Sequence, residues 1–333
     1  MPRFPSTARS LALAALVALG APAAFAQSTV TMYGLIDLSA GQSQAPGAKS
    51  TKGIDSGSMS TSFIGFRGSE DLGGGLSAVF AIESFMRADT GAAGRFNADT
   101  FWARSAYVGL SSGAGTLTLG RNTTSLFVNT LLFNAFGDSF GFSPAIRQTF
   151  TSGGSFQASG DTGWSDSVKY ASPKFGGLSF TGHVAAGEGD GGRNYGLSAL
   201  YFGGAFGAGL AWQRVEKGSG AFNPDTTSWQ LGGSYSLAPF KLYAQYGSTD
   251  NKTINNTTKV IGLGGEMAVA EVGKLLLQWG KLSPDVGADL KTLSLGYDYL
   301  LSKRTDVYAV YMNEKKTGLS AGNSYALGIR HRF

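Results

Sequence analysis

Apolar and polar positions alternate with a period of two along most of the chain. The last nine residues, YALGIRHRF, place Tyr325, Leu327, Ile329 and Phe333 on one face, with His331 as the only interruption. Ala326, Gly328, Arg330 and Arg332 fall on the other face. In SWQLGGSYSL, Trp229, Leu231, Gly233, Tyr235 and Leu237 alternate with Gln230, Gly232, Ser234 and Ser236. TLSLGYDYL, FKLYAQYG and AFGAGLAWQR repeat the pattern. One apolar and one polar face at this period predicts β-strands. A soluble sandwich would alternate too. Here, however, Trp and Tyr recur near strand ends on the apolar face, as in the aromatic girdles of a membrane-spanning barrel.

The connections alternate in length. Short turns fall at 69–75, 111–115, 172–177, 202–207, 236–240, 269–273 and 300–305. Longer polar stretches fall near 39–58, 87–99, 121–165, 185–194, 216–227, 248–257, 282–290 and 313–322. Seven turns and eight loops join sixteen strands, with both chain ends on the short-turn side, which is the plan of periplasmic turns and extracellular loops. The last strand is predicted to pair with the first, near TVTMYGLIDLS, which closes the barrel and leaves no edge. Its apolar face then meets lipid.

Composition narrows the class. The chain has no cysteine, only 15% charged residues and 12% aromatic ones, with 50 glycines. Soluble domains carry about 25% charge. No stretch after the N-terminal segment offers the roughly 20 apolar residues of a membrane helix. A closed β-barrel is the remaining structure that satisfies every backbone group inside a bilayer. The N-terminus reads MPRFPSTARS, then LALAALVALG, then a small-x-small site at Ala24-Phe25-Ala26. That pattern predicts a secretory signal peptide over 1–26, removed after Ala26, with the barrel domain over 27–333.

VTMYGLIDLS, SFIGFRGSEDLGGGLSAVFAIES, FWARSAYVGLSSGAGTLTLGRN, SVKYASPKFGGLSF and YALGIRHRF, in this order and spacing, resemble the general porins of Gram-negative bacteria, especially the β-proteobacterial branch. The resemblance covers essentially the whole mature chain. It implies a homotrimer of sixteen-stranded barrels in an outer membrane of lipid and lipopolysaccharide, each pore narrowed by an inward-folded third loop. A C-terminal Phe333 on the strand of Tyr325, Leu327 and Ile329 resembles the signal read by the barrel-assembly machinery. The solutes implied are small, hydrophilic and passively diffusing, and no cofactor is implied.

The third and longest loop, 121–165, contains seven phenylalanines. Such a loop needs burial, which the lumen wall can provide, and TSLFVNTLLFNAF has the spacing of a short helix. Selectivity in a water-filled barrel comes from width and charged rings near the narrow zone. Related porins set an arginine ladder on the wall against acids on the third loop. By that resemblance Arg104 matches a ladder position and Glu83 the acidic wall residue. Phe63 stands where relatives often carry arginine, leaving Arg67 four residues on. Another ladder position falls around Gly163 and Trp164. The loop offers Asp138 and Asp161 but also Arg147. Arg104 is therefore expected to be the main fixed positive charge, supported by Arg67 and opposed by Glu83 and Asp138.

Other chemistry is weakly signalled. GLSSG (109–113) and GLSAG (318–322) fit G-x-S-x-G, but that motif needs a strand–turn–helix elbow, and the chain has only His183 and His331. GEGDGG (187–192) lacks the spaced carboxylates of a calcium loop. Lysines and arginines are scattered, so no nucleic-acid footprint forms. The sequence therefore predicts an all-β outer-membrane channel rather than an enzyme. The rivals are an adhesin or surface antigen with a restricted lumen and a barrel-embedded hydrolase.

Overall fold

The computed structural model describes residues 29–151, 159–189, 191–216 and 225–333. The predicted signal peptide lies outside these residues, as do Asp190 of GEGDGG and most of the loop near 216–227. Sixteen strands cross the wall: β1 Thr29–Ser43, β2 Phe63–Gly73, β3 Leu76–Arg87, β4 Ser105–Ser112, β5 Gly115–Thr123, β6 Gly163–Ala171, β7 Leu178–Ala185 and β8 Asn194–Gly203. They continue with β9 Phe206–Val215, β10 Thr226–Leu237, β11 Phe240–Asn251, β12 Asn256–Val269, β13 Gly273–Pro284, β14 Leu290–Leu300, β15 Thr305–Lys316 and β16 Gly322–Arg332. Each is antiparallel to its sequence neighbours, and β16 pairs with β1 from Leu35↔Arg332 to Gln42↔Tyr325. The barrel is closed.

Alternation sets the two faces. Leu231, Leu277, Leu295 and Leu327 on the outside are 50–67% exposed, whereas Gln230, Gln278, Ser294 and Ala326 beside them are at most 4% exposed. A soluble protein would invert that order. Apolar surface turned outward is stable only against lipid, so the exposed leucines mark a membrane-facing wall. No helix among the described residues is long and apolar enough to cross a membrane.

The closing strand is held to the final residue. Phe333 donates its N–H to the Gly34 carbonyl and accepts from the Gly34 N–H, both at 3.2 Å. A side chain at Gly34 would place its Cβ 2.6 Å from the Phe333 ring. The glycine is thus a seat for the terminal phenyl group on the outer face.

One loop differs from expectation. The stretch predicted as polar loop near 39–58 includes the end of β1 and a return strand, Thr51–Ser56. The lower half of β1 pairs with β2, from Thr29↔Ser69 to Leu35↔Phe63, and its upper half pairs with the return strand, from Leu38↔Ser56 to Ser43↔Thr51. β1 is longer than β2, and its unpaired upper edge takes the strand that satisfies it. Two short strands, this one and Ala92–Ala93, add to the sixteen of the wall.

Candidate functional site: the lumen wall and its inward loop

The third loop leaves β5 and lies along the inner wall. Helix α1, Ser125–Leu132, is capped by Thr124, whose hydroxyl accepts from the Phe127 N–H. Its buried face meets polar side chains of the wall. Asn129 Nδ2 and Thr130 Oγ1 donate to Gln230 Oε1 at 2.8 and 3.0 Å, and Gln245 Nε2 donates to the Thr130 carbonyl at 2.6 Å. Past the helix, the Ala135 N–H donates to Gln278 Oε1. Each such bond is worth about 1 kcal/mol net. Glycines clear the space: a Cβ at Gly232 would lie 2.3 Å from the Phe133 ring, and one at Gly209 2.5 Å from it. Leu126, Ile146, Phe150 and Ala211 form an apolar cluster between loop and wall.

The tip of the loop reaches the first loop. Ser139 donates to the Ser58 carbonyl at 2.7 Å, and Ser60 donates to Asp138 at 2.9 Å. Ser58–Ser60 is fixed by Asp37, a fully buried carboxylate that accepts from the Met59 and Ser60 N–H groups at 2.7 Å and from the Tyr308 hydroxyl at 2.5 Å. Arg330 completes this corner, bridging Asp298 and Asp306 at 2.7 Å each. The returning arm is tied by Arg147 to Glu314 at 2.9 Å and by Gln148 to Thr292 at 3.1 Å.

At the loop's base, Asp161 accepts from Arg95 at 2.7 Å and from Arg121 at 2.6 Å, and Arg95 also holds Asp99 at 2.8 Å. Burial alone would push the Asp161 carboxyl up. The two guanidiniums outweigh it and hold the group below the usual carboxylate range. Asp99 is lowered against its burial in the same way, by hydrogen bonds from Arg95. Arg95 is raised: burial disfavours its charge, but the two carboxylates favour it more. This network joins the second loop to the third.

Four of the five expected constriction residues come together at β1–β4, away from β8–β10, which seat helix α1. Arg104 pairs with Glu83, and its guanidinium lies 3.9 Å from the centroid of the Phe63 ring. Tyr33 donates to Glu83 at 2.6 Å and packs edge-on against Phe63 at 5.9 Å. Arg67 lies over the Tyr33 ring at 4.7 Å, and among the described residues no carboxylate reaches it. Arg104 therefore shares its charge with Glu83, and Arg67 keeps its own. Asp138 stands apart, on the loop tip with Ser60. Tyr33, which orients Glu83 and supports Arg67, was not anticipated, nor were the glutamines and glycines that seat the loop. Their signal was present as Gly and Gln on the inward face of consecutive strands.

A family model described as Gram-negative porin matches residues 12–319. Outer membrane porin protein 32 of Delftia acidovorans is 31% identical over 96% of this chain and 94% of its own. An outer membrane porin of Bordetella pertussis is 27% identical over 98% of this chain and all of its own. Among solved structures, an anion-selective porin from Comamonas acidovorans superposes with a TM-score of 0.79 at 26% identity, covering 92% of this chain and all of that one. The solved Comamonas porin has the same fold, and this chain belongs to the Gram-negative porin family, an outer-membrane channel for passive diffusion.

Proposed function

We propose that this channel is a narrow, weakly anion-selective pore for small hydrophilic solutes, constricted between the third loop and the β1–β4 wall. The observation that carries the reading is the pairing pattern on that wall. Arg104 is offset by Glu83, while the exposed Arg67 has no carboxylate partner among the described residues. Lys169, on the inner face of β6, donates to the Thr123 carbonyl at 2.9 Å and has no ion pair among the described residues. Asp306 and Glu314, buried beneath the loop, are matched by Arg330 and Arg147, and the buried Asp37 is held by the Met59 and Ser60 N–H groups and the Tyr308 hydroxyl. Against Arg67 and Lys169 stands Asp138, which accepts from Ser60 and has no ion pair among the described residues, so a passing ion meets an excess of one positive charge. The anion-selective Comamonas structure supports the same sign. The trimeric state follows from the family likeness, and a Vibrio cholerae OmpT structure of the same fold is described as a trimer form.

The test is the reversal potential in a planar bilayer under a salt gradient. Wild type should favour anions and Arg67→Ala should move toward neutrality. Cation selectivity of the wild type would reject the assignment. Removing residues 126–150 should raise single-channel conductance, and unchanged conductance in normally inserted protein would place the constriction elsewhere.

A further inference from the structure

One rung of the inner wall carries a cation with no carboxylate beside it. Thr118 on β5, Lys169 on β6, His183 on β7, Gly196 on β8 and Gln213 on β9 lie opposite one another in register. Their neighbours Val168, Val184 and Leu197 turn outward at 46%, 44% and 60% exposure, whereas His183 and Gln213 face inward at 2% and 1%. Facing residues stand about 5 Å apart, so Lys169 and His183 border one space. Trp164 descends over it from the head of β6. Its ring lies 4.7 Å from the His183 ring, and a Cβ at Gly196 would meet the indole at 3.3 Å, so the glycine leaves the room that the indole fills. The polar atoms of this corner are unmatched. Among the described residues neither ring nitrogen of His183 nor Trp164 Nε1 makes a hydrogen bond, although both side chains are more than nine-tenths buried. Lys169 donates to the Thr123 carbonyl at 2.9 Å, and no ion pair reaches it. Its neutral neighbours are already engaged: Thr118 donates to Asn122 at 2.8 Å, and Asn122 donates to Ser167 at 3.2 Å. Asp161, at the base of the loop, is taken up by Arg95 and Arg121. Buried polar side chains are almost always partnered, and a cluster of exceptions beside a half-buried cation marks the place of an occupant.

We propose that Lys169, His183 and Trp164 form an alcove in the lumen wall that takes the carboxylate of a small organic acid. The corner is rich in donors: the ammonium hydrogens that Thr123 does not use, the indole N–H and one imidazole N–H. A carboxylate offers about four lone-pair sites and accepts from all three groups. It also brings the negative charge that Lys169 lacks, and charge-assisted hydrogen bonds are the stronger kind. Buried water would match the hydrogen bonds but not the charge. Lys169, less buried than the two rings, is the side open to the lumen, and the rings close the back. The alcove lies on β6–β8, on other strands than the Arg67 and Arg104 cluster. The inference adds a binding step to the proposed anion-favouring pore and shares with that reading only the charge of Lys169.

The test is an NMR titration of folded protein in detergent, with nitrogen-15 in histidine and tryptophan. His183 and His331 are the only histidines, so His183→Gln assigns the imidazole signals, and Trp164→Phe assigns the indole. The probes are acetate, its neutral isostere acetamide, and chloride. Acetate should shift the His183 nitrogens and the Trp164 indole N–H saturably, while acetamide leaves them in place and chloride moves them less at matched concentration. Lys169→Gln should weaken acetate binding about tenfold, the loss of one charge-assisted hydrogen bond. Trp164→Phe keeps a ring and drops the N–H. It should weaken binding about threefold, read at His183, and carries the test if Lys169→Gln does not fold. Arg67→Ala should move the reversal potential and leave the acetate titration as in wild type, so this inference and the pore reading can fail separately. No saturable shift in wild type would assign the corner to ordered water and overturn the proposal. So would equal shifts with acetamide, equal shifts with chloride (an adventitious ion only), or an unchanged titration in folded Lys169→Gln.

Discussion

Glu83→Gln isolates one wall charge with little change of shape. The new amide keeps a carbonyl oxygen for the Tyr33 hydroxyl, which donates to Glu83 at 2.6 Å, and Arg104 keeps its place over Phe63. What changes is the charge of the cluster. Arg67 and Arg104 together then present two uncompensated positive charges instead of one. An ion about 8 Å from a unit charge in water gains or loses about 0.5 kcal/mol. Anion and cation partitioning then shift in opposite senses by about 2.4-fold each, or about sixfold in their ratio, at low salt. At 0.15 M the Debye length is also about 8 Å, and the ratio falls to about twofold. The assay is the reversal potential across a planar bilayer at two ionic strengths. Arg104→Ala should move it the opposite way, toward cations, because Glu83 is left with only the Tyr33 hydroxyl. If Glu83→Gln leaves the anion-to-cation ratio unchanged at low salt, in a channel of normal conductance, the cluster does not face the permeation path.

Gly232→Ala should unseat the third loop, because its Cβ would fall 2.3 Å from the Phe133 ring. Overpacking of this kind costs about 1–3 kcal/mol, readable as a lower thermal transition and noisier single-channel current, whereas Gly233→Ala on the outer face should be silent. Asp161→Asn should destabilise by about 1.5–3 kcal/mol, leaving Arg121 without a carboxylate and Arg95 with Asp99 alone, measured by urea unfolding in detergent. The pH dependence has a definite sign. Asp161 and Asp99 are lowered in the folded state, so their contribution is complete above the unfolded carboxylate value near 4 and is lost as pH falls through the lowered values. Asp161→Asn should therefore flatten the acid side of the stability profile, and an unchanged profile would argue against the network. Deleting Phe333 should lower outer-membrane levels of heat-modifiable protein without altering the conductance of the channels that do insert, since Gly34 and the terminal strand lose their last pair of hydrogen bonds.

The sequence by itself determined the barrel. Strict alternation in segments such as Trp229–Leu237 and Leu293–Tyr299 fixes which face meets lipid, because a strand's side-chain period is two and a slip by one would reverse it. The alternation of short and long connections fixed the strand count, and the run to Phe333 fixed the closing pair. These are local signals, carried by neighbours in the chain. The site is not local. Glu83, Arg104, Phe63 and Arg67 could be named from their resemblance to relatives. That Arg104 spends its charge on Glu83 while Arg67 stays free depends on cross-strand register and on Tyr33, far from each of them in the chain. The seat of the third loop is further removed: Asn129 and Thr130 find Gln230 a hundred residues on, across the barrel interior. An inward glutamine or glycine looks the same in sequence whether it faces water or a packed loop. Only the closed barrel, by bringing β9, β10 and β13 around the loop, decides which of them it is.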